Sequence, residues 1–190
     1  LETLVSVAAR GSLTAAARAE GVAPAIIGRR LDALEERLGV KLLVRTTRRI
    51  SLTHEGSAFL EDCQRLLADL ANRFLPELKT FDARGRRVDQ VNFHPAWHEL
   101  LARYRQAGLI SSPFRDTAPG RWAAWAAGFY MHAQIEAGTL CPSTMTLGAI
   151  PLLQREPELW AQMGDKLFSD SYDPRDLPIA QKTAIYIGMG

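Results

Sequence analysis

Residues 11–53 read GSLTAAARAEGVAPAIIGRRLDALEERLGVKLLVRTTRRISLT. Ser12 is placed to cap a helix from Leu13 to about Glu20, and Gly21 supplies the sharp turn that follows. Pro24 suits the first turn of a second helix, where its missing N–H would have been unpaired anyway. Ile27, Leu31, Leu34 and Leu38 then recur at spacings of four, three and four, one face of a single helix that ends at Gly39. Beyond it, Leu42, Val44, Ile50 and Leu52 alternate with polar positions and predict a two-stranded wing.

Two helices joined by a glycine turn suit duplex DNA. The major groove is about 12 Å wide and admits one α-helix, and side chains near that helix's N-terminus reach the base edges. Net charge over the 190 residues is only +2, so composition does not announce a nucleic acid. The distribution does. Residues 29–49 hold seven basic residues (Arg29, Arg30, Arg37, Lys41, Arg45, Arg48, Arg49) against three acidic ones. Pro24, Ala25 and Ile26 offer apolar contact to thymine methyl groups, and Arg29, with Arg30 beside it, is placed to read guanine. Arg45, Thr47, Arg48 and Arg49 are expected to grip phosphate or the minor groove, while Ser12 and Thr14 approach the backbone from the first helix.

GS-x-TAAA, the ALEERLGVKLL run, the RTTRR wing and the following T-x-x-G stand in the order found in LysR-type transcriptional regulators. Residues 1 to about 72 resemble the winged helix-turn-helix and linker helix of that family. The family usually carries serine at the positions of Ala23 and Gly28, so a helix cap and one hydroxyl contact are missing here. The chain starts at Leu1, partway into the expected first helix, whose buried side is marked by Leu1, Leu4, Val5 and Ala8. After the wing, Thr53 caps a further helix with Glu55 in its first turn. Leu60, Cys63, Leu67, Leu70 and Phe74 form a short heptad seam on it. The resemblance implies a homodimer through this linker; packing on the chain's own second half is the alternative.

Near Asn72 the character changes. D-x-x-G-x-R-x-D-x-V-x-FHPAWH (Asp82 to His98), HAQIEAGTLCPSTMT (His132 to Thr146), SDSYD (Ser169 to Asp173) and the closing IGMG are similar to the AidB flavoproteins, relatives of the acyl-CoA dehydrogenases. That resemblance covers about 73–190 and implies the helical N-terminal part of a longer fold. It also implies FAD, but the glycine loop credited with holding the flavin stops at Gly190, so no cofactor is expected. Trp97, Leu100, Leu101 and Tyr104 suggest one amphipathic helix and Trp122, Ala126, Phe129 and Ala133 another. Further helical segments carry Ile150, Leu153, Leu159, Met163 and Leu167 and are broken by Pro151 and Pro157.

Catalytic and metal chemistry find little support. His94 and His98 are four apart, but Pro95 pushes His94 out of helical geometry and there is no H-E-x-x-H. His132 with Glu136 reads as a packed or solvated pair, and Ser143, Thr144 and Thr146 lack a base partner. Arg86-Arg87 reads as a solvated pair in a turn. Cys63 and Cys141 lack metal spacing and fit a reducing cytoplasm. No apolar run approaches the ~20 residues of a membrane span, and no signal peptide is visible.

The sequence therefore predicts a mainly α protein: a winged helix-turn-helix (1–53), a linker and dimerisation helix (54–75), and an incomplete AidB-like helical region (76–190). Its expected function is sequence-specific binding of double-stranded DNA in a bacterial cytoplasm, without catalysis or a small-molecule effector site. An AidB-like flavoprotein fragment, or a fusion remnant without function, is the alternative.

Overall fold

A computed structural model of the protein describes residues 2–46 and 50–188. It divides into two compact units, Leu1–Gln64 and Arg65–Gly190. Among the described residues, no helix is long and apolar enough to cross a membrane.

The first unit holds α1 (Glu2–Arg10), α2 (Leu13–Glu20), α3 (Pro24–Leu38), β1 (Leu43–Arg45), β2 (Ile50–Leu52) and the start of α4 (His54–Arg73). Local chemistry accounts for most of these boundaries. Ser12 Oγ accepts the amide of Ala15 at 3.3 Å and caps α2. Gly21 and Gly39 end α2 and α3 in the left-handed conformation, at φ 65° and 70°, which glycine adopts without steric cost. Pro24 begins α3. Thr53 caps α4, its hydroxyl accepting the Gly56 amide at 2.8 Å while donating to the Lys41 carbonyl at 2.6 Å.

The core joins Leu4 and Val7 of α1, Ala16 and Ala17 of α2, Ile27 and Leu31 of α3, and Leu42 and Leu43. Three details depart from the sequence reading. In α1 it is Val7 that is fully buried, whereas Val5 and Ala8 are only half-buried; Leu1 lies outside the described residues. In α3 the inward row runs Ile27, Leu31, Glu35, and Leu38 is exposed. In the wing, Leu43 faces the core and Val44 faces out, because Leu42 and Leu43 are buried in succession as the chain enters the strand. The strands pair antiparallel, with Leu43 opposite Leu52 and Arg45 opposite Ile50.

The second unit opens, beyond the end of α4, with a hairpin, β3 (Glu77–Phe81) and β4 (Arg87–Asn92), where the sequence predicted only helices and a turn. Its turn is built by Asp82, whose Oδ1 accepts the amides of Arg84 and Arg86 at 2.8 and 2.9 Å, with Gly85 at φ 76°. Arg86 lies in this turn paired with Asp82, whereas Arg87 opens β4 and pairs with Asp89.

There follow α5 (Pro95–Gln106), α6 (Ser112–Arg115), α7 (Arg121–Ala133), α8 (Leu140–Leu153), α9 (Pro157–Phe168) and a 3-10 turn at Ile179–Gln181. Leu100, Tyr104, Leu109 and Leu140 form one cluster, flanked by Leu67, Ala71, Trp125 and Phe129. Ile150, Leu167 and Ile185 form another. Pro157 starts α9, but Pro151 sits inside α8, two residues from its end, rather than breaking it. Arg105 is buried: Nη1 donates to the carbonyls of Lys166 (3.3 Å) and Ser169 (2.8 Å), Nη2 to that of Ile185, and the guanidinium lies 4.5 Å from the Tyr186 ring centre.

Gly56 gives the first unit its tightest constraint. A Cβ there would stand 2.0 Å from the Leu42 carbonyl oxygen and 2.9 Å from its carbon, both backbone atoms that cannot swing aside. Gly56→Ala is therefore expected to lower stability by about 3 kcal/mol, the upper range for overpacking. Thermal unfolding followed by circular dichroism, with amide exchange across residues 13–38, measures this; an unchanged melting temperature contradicts the packing described.

Candidate nucleic-acid interface

The outward face of α3 is set by its inward one. With Ile27, Leu31 and Glu35 turned to the core, Pro24, Ala25, Arg29, Asp32 and Ala33 are exposed and Ile26 is half-buried. Asp32 lies three residues beyond Arg29, so one helix turn carries both on the same side. Arg45 of β1 joins that side: its Nη2 meets Asp32 Oδ1 at 2.8 Å. Arg29 and Arg45 thus share one surface. Arg29 makes no ion pair among the described residues.

Arg30 is directed differently. Its Nη1 reaches Glu20 Oε2 of α2 at 2.9 Å, an oxygen that also accepts the Thr3 hydroxyl at 3.2 Å. The side chain remains about half exposed, but it is tied to the helix–turn–helix joint rather than to the face of Arg29. Thr14 is exposed on α2, and Ser12 is half-buried with its hydroxyl engaged in capping. Thr47, Arg48 and Arg49 lie outside the described residues. Ala23, at the N-cap of α3, supplies no side-chain hydrogen bond, and a Cβ on Gly28 would meet nothing within 4 Å.

Glu35 is the residue that sequence reasoning missed. It is only 4% exposed. Its Oε1 accepts the amides of Leu42 (2.9 Å) and Leu43 (3.1 Å), and its Oε2 takes Lys41 Nζ at 2.7 Å. Burial alone would push its carboxyl up. The Lys41 ammonium and the two amides outweigh burial and hold it below its ordinary value of 4.5. Lys41, counted among the basic residues facing phosphate, is instead one partner of this buried acid, with its stem in solvent. The available signal was spacing: Glu35 continues the row Ile27, Leu31 by another four residues.

The histidines of the second unit are occupied structurally. His94 caps α5, its Nδ1 accepting the Ala96 amide at 3.1 Å, and stacks on Phe74. His98 Nδ1 bonds the Tyr172 hydroxyl at 2.6 Å. Glu136 is bonded to the amides of Gly138 and Thr139 and to the Thr139 hydroxyl, and His132 packs edge-on against Tyr104. No group of three or more potential metal ligands occurs among the described residues.

Residues 1–57 match the family described as bacterial regulatory helix-turn-helix protein, lysR family, and residues 32–174 match the adaptive response protein AidB N-terminal domain. The chain is 46% identical over 126 residues to the putative acyl-CoA dehydrogenase AidB of Escherichia coli K12, covering 65% of this chain and 23% of that protein. It is 49% identical over 118 residues to an HTH-type transcriptional repressor of Pseudomonas aeruginosa, covering 57% of this chain and 37% of the repressor. The HTH-type transcriptional regulator DmlR of Escherichia coli K12 is 43% identical over 70 residues, 37% of this chain and 23% of its own length. Among solved structures, full-length CbnR complexed with target DNA shares 46% identity over 38% of this chain and 25% of its own, with a TM-score of 0.34. The chain thus spans between 23% and 37% of the length of these relatives.

Glu35→Ala strands two buried amides and is expected to cost about 3 kcal/mol, whereas Glu35→Gln keeps an oxygen for them and costs about 1 kcal/mol. Because the folded carboxyl titrates below the unfolded one, its stabilisation is present above pH 4.5 and fades as pH falls through the folded value. Urea unfolding of both variants and the parent at pH 7 and pH 4 reads all three effects; equal losses for Ala and Gln contradict the acceptor role. Ala23→Ser, which supplies the absent cap, is expected to add about 1 kcal/mol in the same titrations.

Proposed function

The chain belongs to the AidB N-terminal domain family, and from the match of residues 1–57 to the lysR-family helix-turn-helix we propose that it binds duplex DNA with sequence preference. The carrying observation is the exposed row Pro24, Ala25, Arg29 on α3, with Arg45 of the wing held beside it. The start of α3 enters the major groove, where Pro24, Ala25 and Ile26 meet thymine methyl groups and Arg29 donates to guanine O6 and N7. Arg45, Thr47, Arg48 and Arg49 hold phosphate or the minor groove, Thr14 and Ser12 approach the opposite backbone, and Arg30 adds positive potential without reading bases. The working parts are residues 1–53 for contact, 54–75 for linkage and 76–190 as the AidB-like region.

The protein acts as a homodimer through α4, in the cytoplasm where its target lies. Leu60, Cys63 and Leu70 are half-buried on this helix and Leu66 is exposed, which favours a seam there. Leu67 packs against the cluster of Leu100 and Tyr104, and Phe74 stacks on His94, so the seam is narrower than the heptad pattern suggests. The flavin implied by the AidB resemblance would be held by the glycine loop that starts at Gly188. Gly188 borders open space, Met189 and Gly190 lie outside the description, and no step of this function passes through the group.

Salt-dependent titration against duplex DNA tests the assignment. Arg45→Ala is expected to weaken binding uniformly across sequences and to flatten the slope of log K against log salt by about one unit. Arg29→Ala is expected to cost about 1–3 kcal/mol and to relax preference at one base pair. An unchanged slope removes Arg45 from the contact set, and an unchanged preference removes Arg29 from base reading.

A further inference from the structure

Asp32 is an unexpected residue on a surface suited to a polyanion. It lies one turn from Arg29 on the outward face of α3, with 58% of its side chain exposed. A carboxylate there faces the strongly negative field of a duplex, a cost on binding that grows as salt is lowered. In the free protein that carboxylate is not bare, because Arg45 covers it at 2.8 Å. Arg45 in turn is only 34% exposed, so the pair holds the wing arginine against the helix rather than extended into solvent.

We infer that Asp32 is a positioning residue for duplex binding: it holds Arg45 on α3 in the free protein, and Arg45 exchanges this carboxylate for a phosphate when DNA enters. The inference rests on the DNA-binding reading above. Arg45 can serve only one partner at a time at full strength, and its guanidinium forms paired hydrogen bonds with phosphate oxygens as well as with carboxylates. The ion pair therefore stabilises the free protein alone. Asp32 acts as a restraint, lowering affinity for duplexes that offer Arg45 no well-placed phosphate.

The test is a double-mutant cycle on the full chain: the parent, Asp32→Asn, Arg45→Ala and the double variant, each titrated against a random-sequence duplex at about 0.1 M salt. Both positions are on the surface, and thermal unfolding verifies that all four proteins are folded. Asp32→Asn is expected to tighten binding by about fivefold in the parent and by under about twofold in the Arg45→Ala background. Equal gains in both backgrounds mean that Asp32 acts through its own charge alone and overturn the inference. A loss of affinity on Asp32→Asn also overturns it, since the pair would then persist on DNA. Absence of binding by all four proteins overturns the DNA-binding reading itself and the inference with it.

Discussion

The buried carboxylate of Glu35 fixes where the wing starts. Two consecutive amides, those of Leu42 and Leu43, point at one oxygen, and a lysine closes the other. An unpaired buried amide costs free energy comparable to a lost hydrogen bond, so the chain leaving α3 has few alternatives to this path. The same short segment is held from its other side: the Leu42 carbonyl accepts the Thr53 amide at 2.9 Å, and Gly56 leaves room for that carbonyl where any side chain would collide. Leu42 is thus gripped through both backbone polar groups while its side chain is in the core. Arg45, three residues on, inherits its position from that grip.

This anchoring decides what the arginines can do. A basic segment can be an unstructured counterion cloud or a set of charges at fixed spacing, and only the second reads a groove. Here Arg45 rides on a strand whose root is fixed by Glu35, and Arg29 rides on the helix that carries Glu35. Their separation is therefore a property of the core rather than of surface side chains. Carboxylates further divide the cations. Glu20 draws Arg30 toward α2 and Asp32 draws Arg45 toward α3, leaving Arg29 without an ion pair among the described residues. Counting seven cations against three anions overstates the attraction available at any one point.

Much of the first unit was legible in the sequence because its boundaries are set by local chemistry. Ser12, Gly21, Pro24, Gly39 and Thr53 each act within four residues of themselves, through a cap, a left-handed turn or a missing amide. What was not legible depends on distant partners. Glu35 reads as a solvated helix acid until the two amides that require it are in place. The exchange of Val44 for Leu43 at the core arises because the residues entering β1 are not yet in strand geometry, so period-two alternation starts one residue late. The β3–β4 hairpin was missed because its apolar residues Leu78, Phe81, Val88 and Val91 are all exposed, and a strand pair without a buried face leaves no reliable alternation.

The second unit shows the same division at larger scale. Helices α5, α7 and α9 could be anticipated from apolar spacing, whereas α6 and most of α8 could not, and the link from α5 to α9 and the segment after it depends on the buried Arg105. Burying a guanidinium is unfavourable unless its donors are satisfied. Here the carbonyls of Lys166, Ser169 and Ile185 take Nη1 and Nη2 and the Tyr186 ring lies against the cation, while Nε is buried with no hydrogen-bond partner among the described residues. Carbonyl oxygens are neutral, so these hydrogen bonds depend on the backbone path of residues 166–186. Asp173 fastens that path independently: its carboxylate accepts from Arg175 and from the amide and hydroxyl of Thr183, which hold it well below the usual carboxylate range. Two charged side chains thus do for this irregular segment what caps and glycines do for the helices of the first unit. The irregular end of the AidB-like part is accordingly held by fixed polar ties, where the first unit relies on local caps and turns.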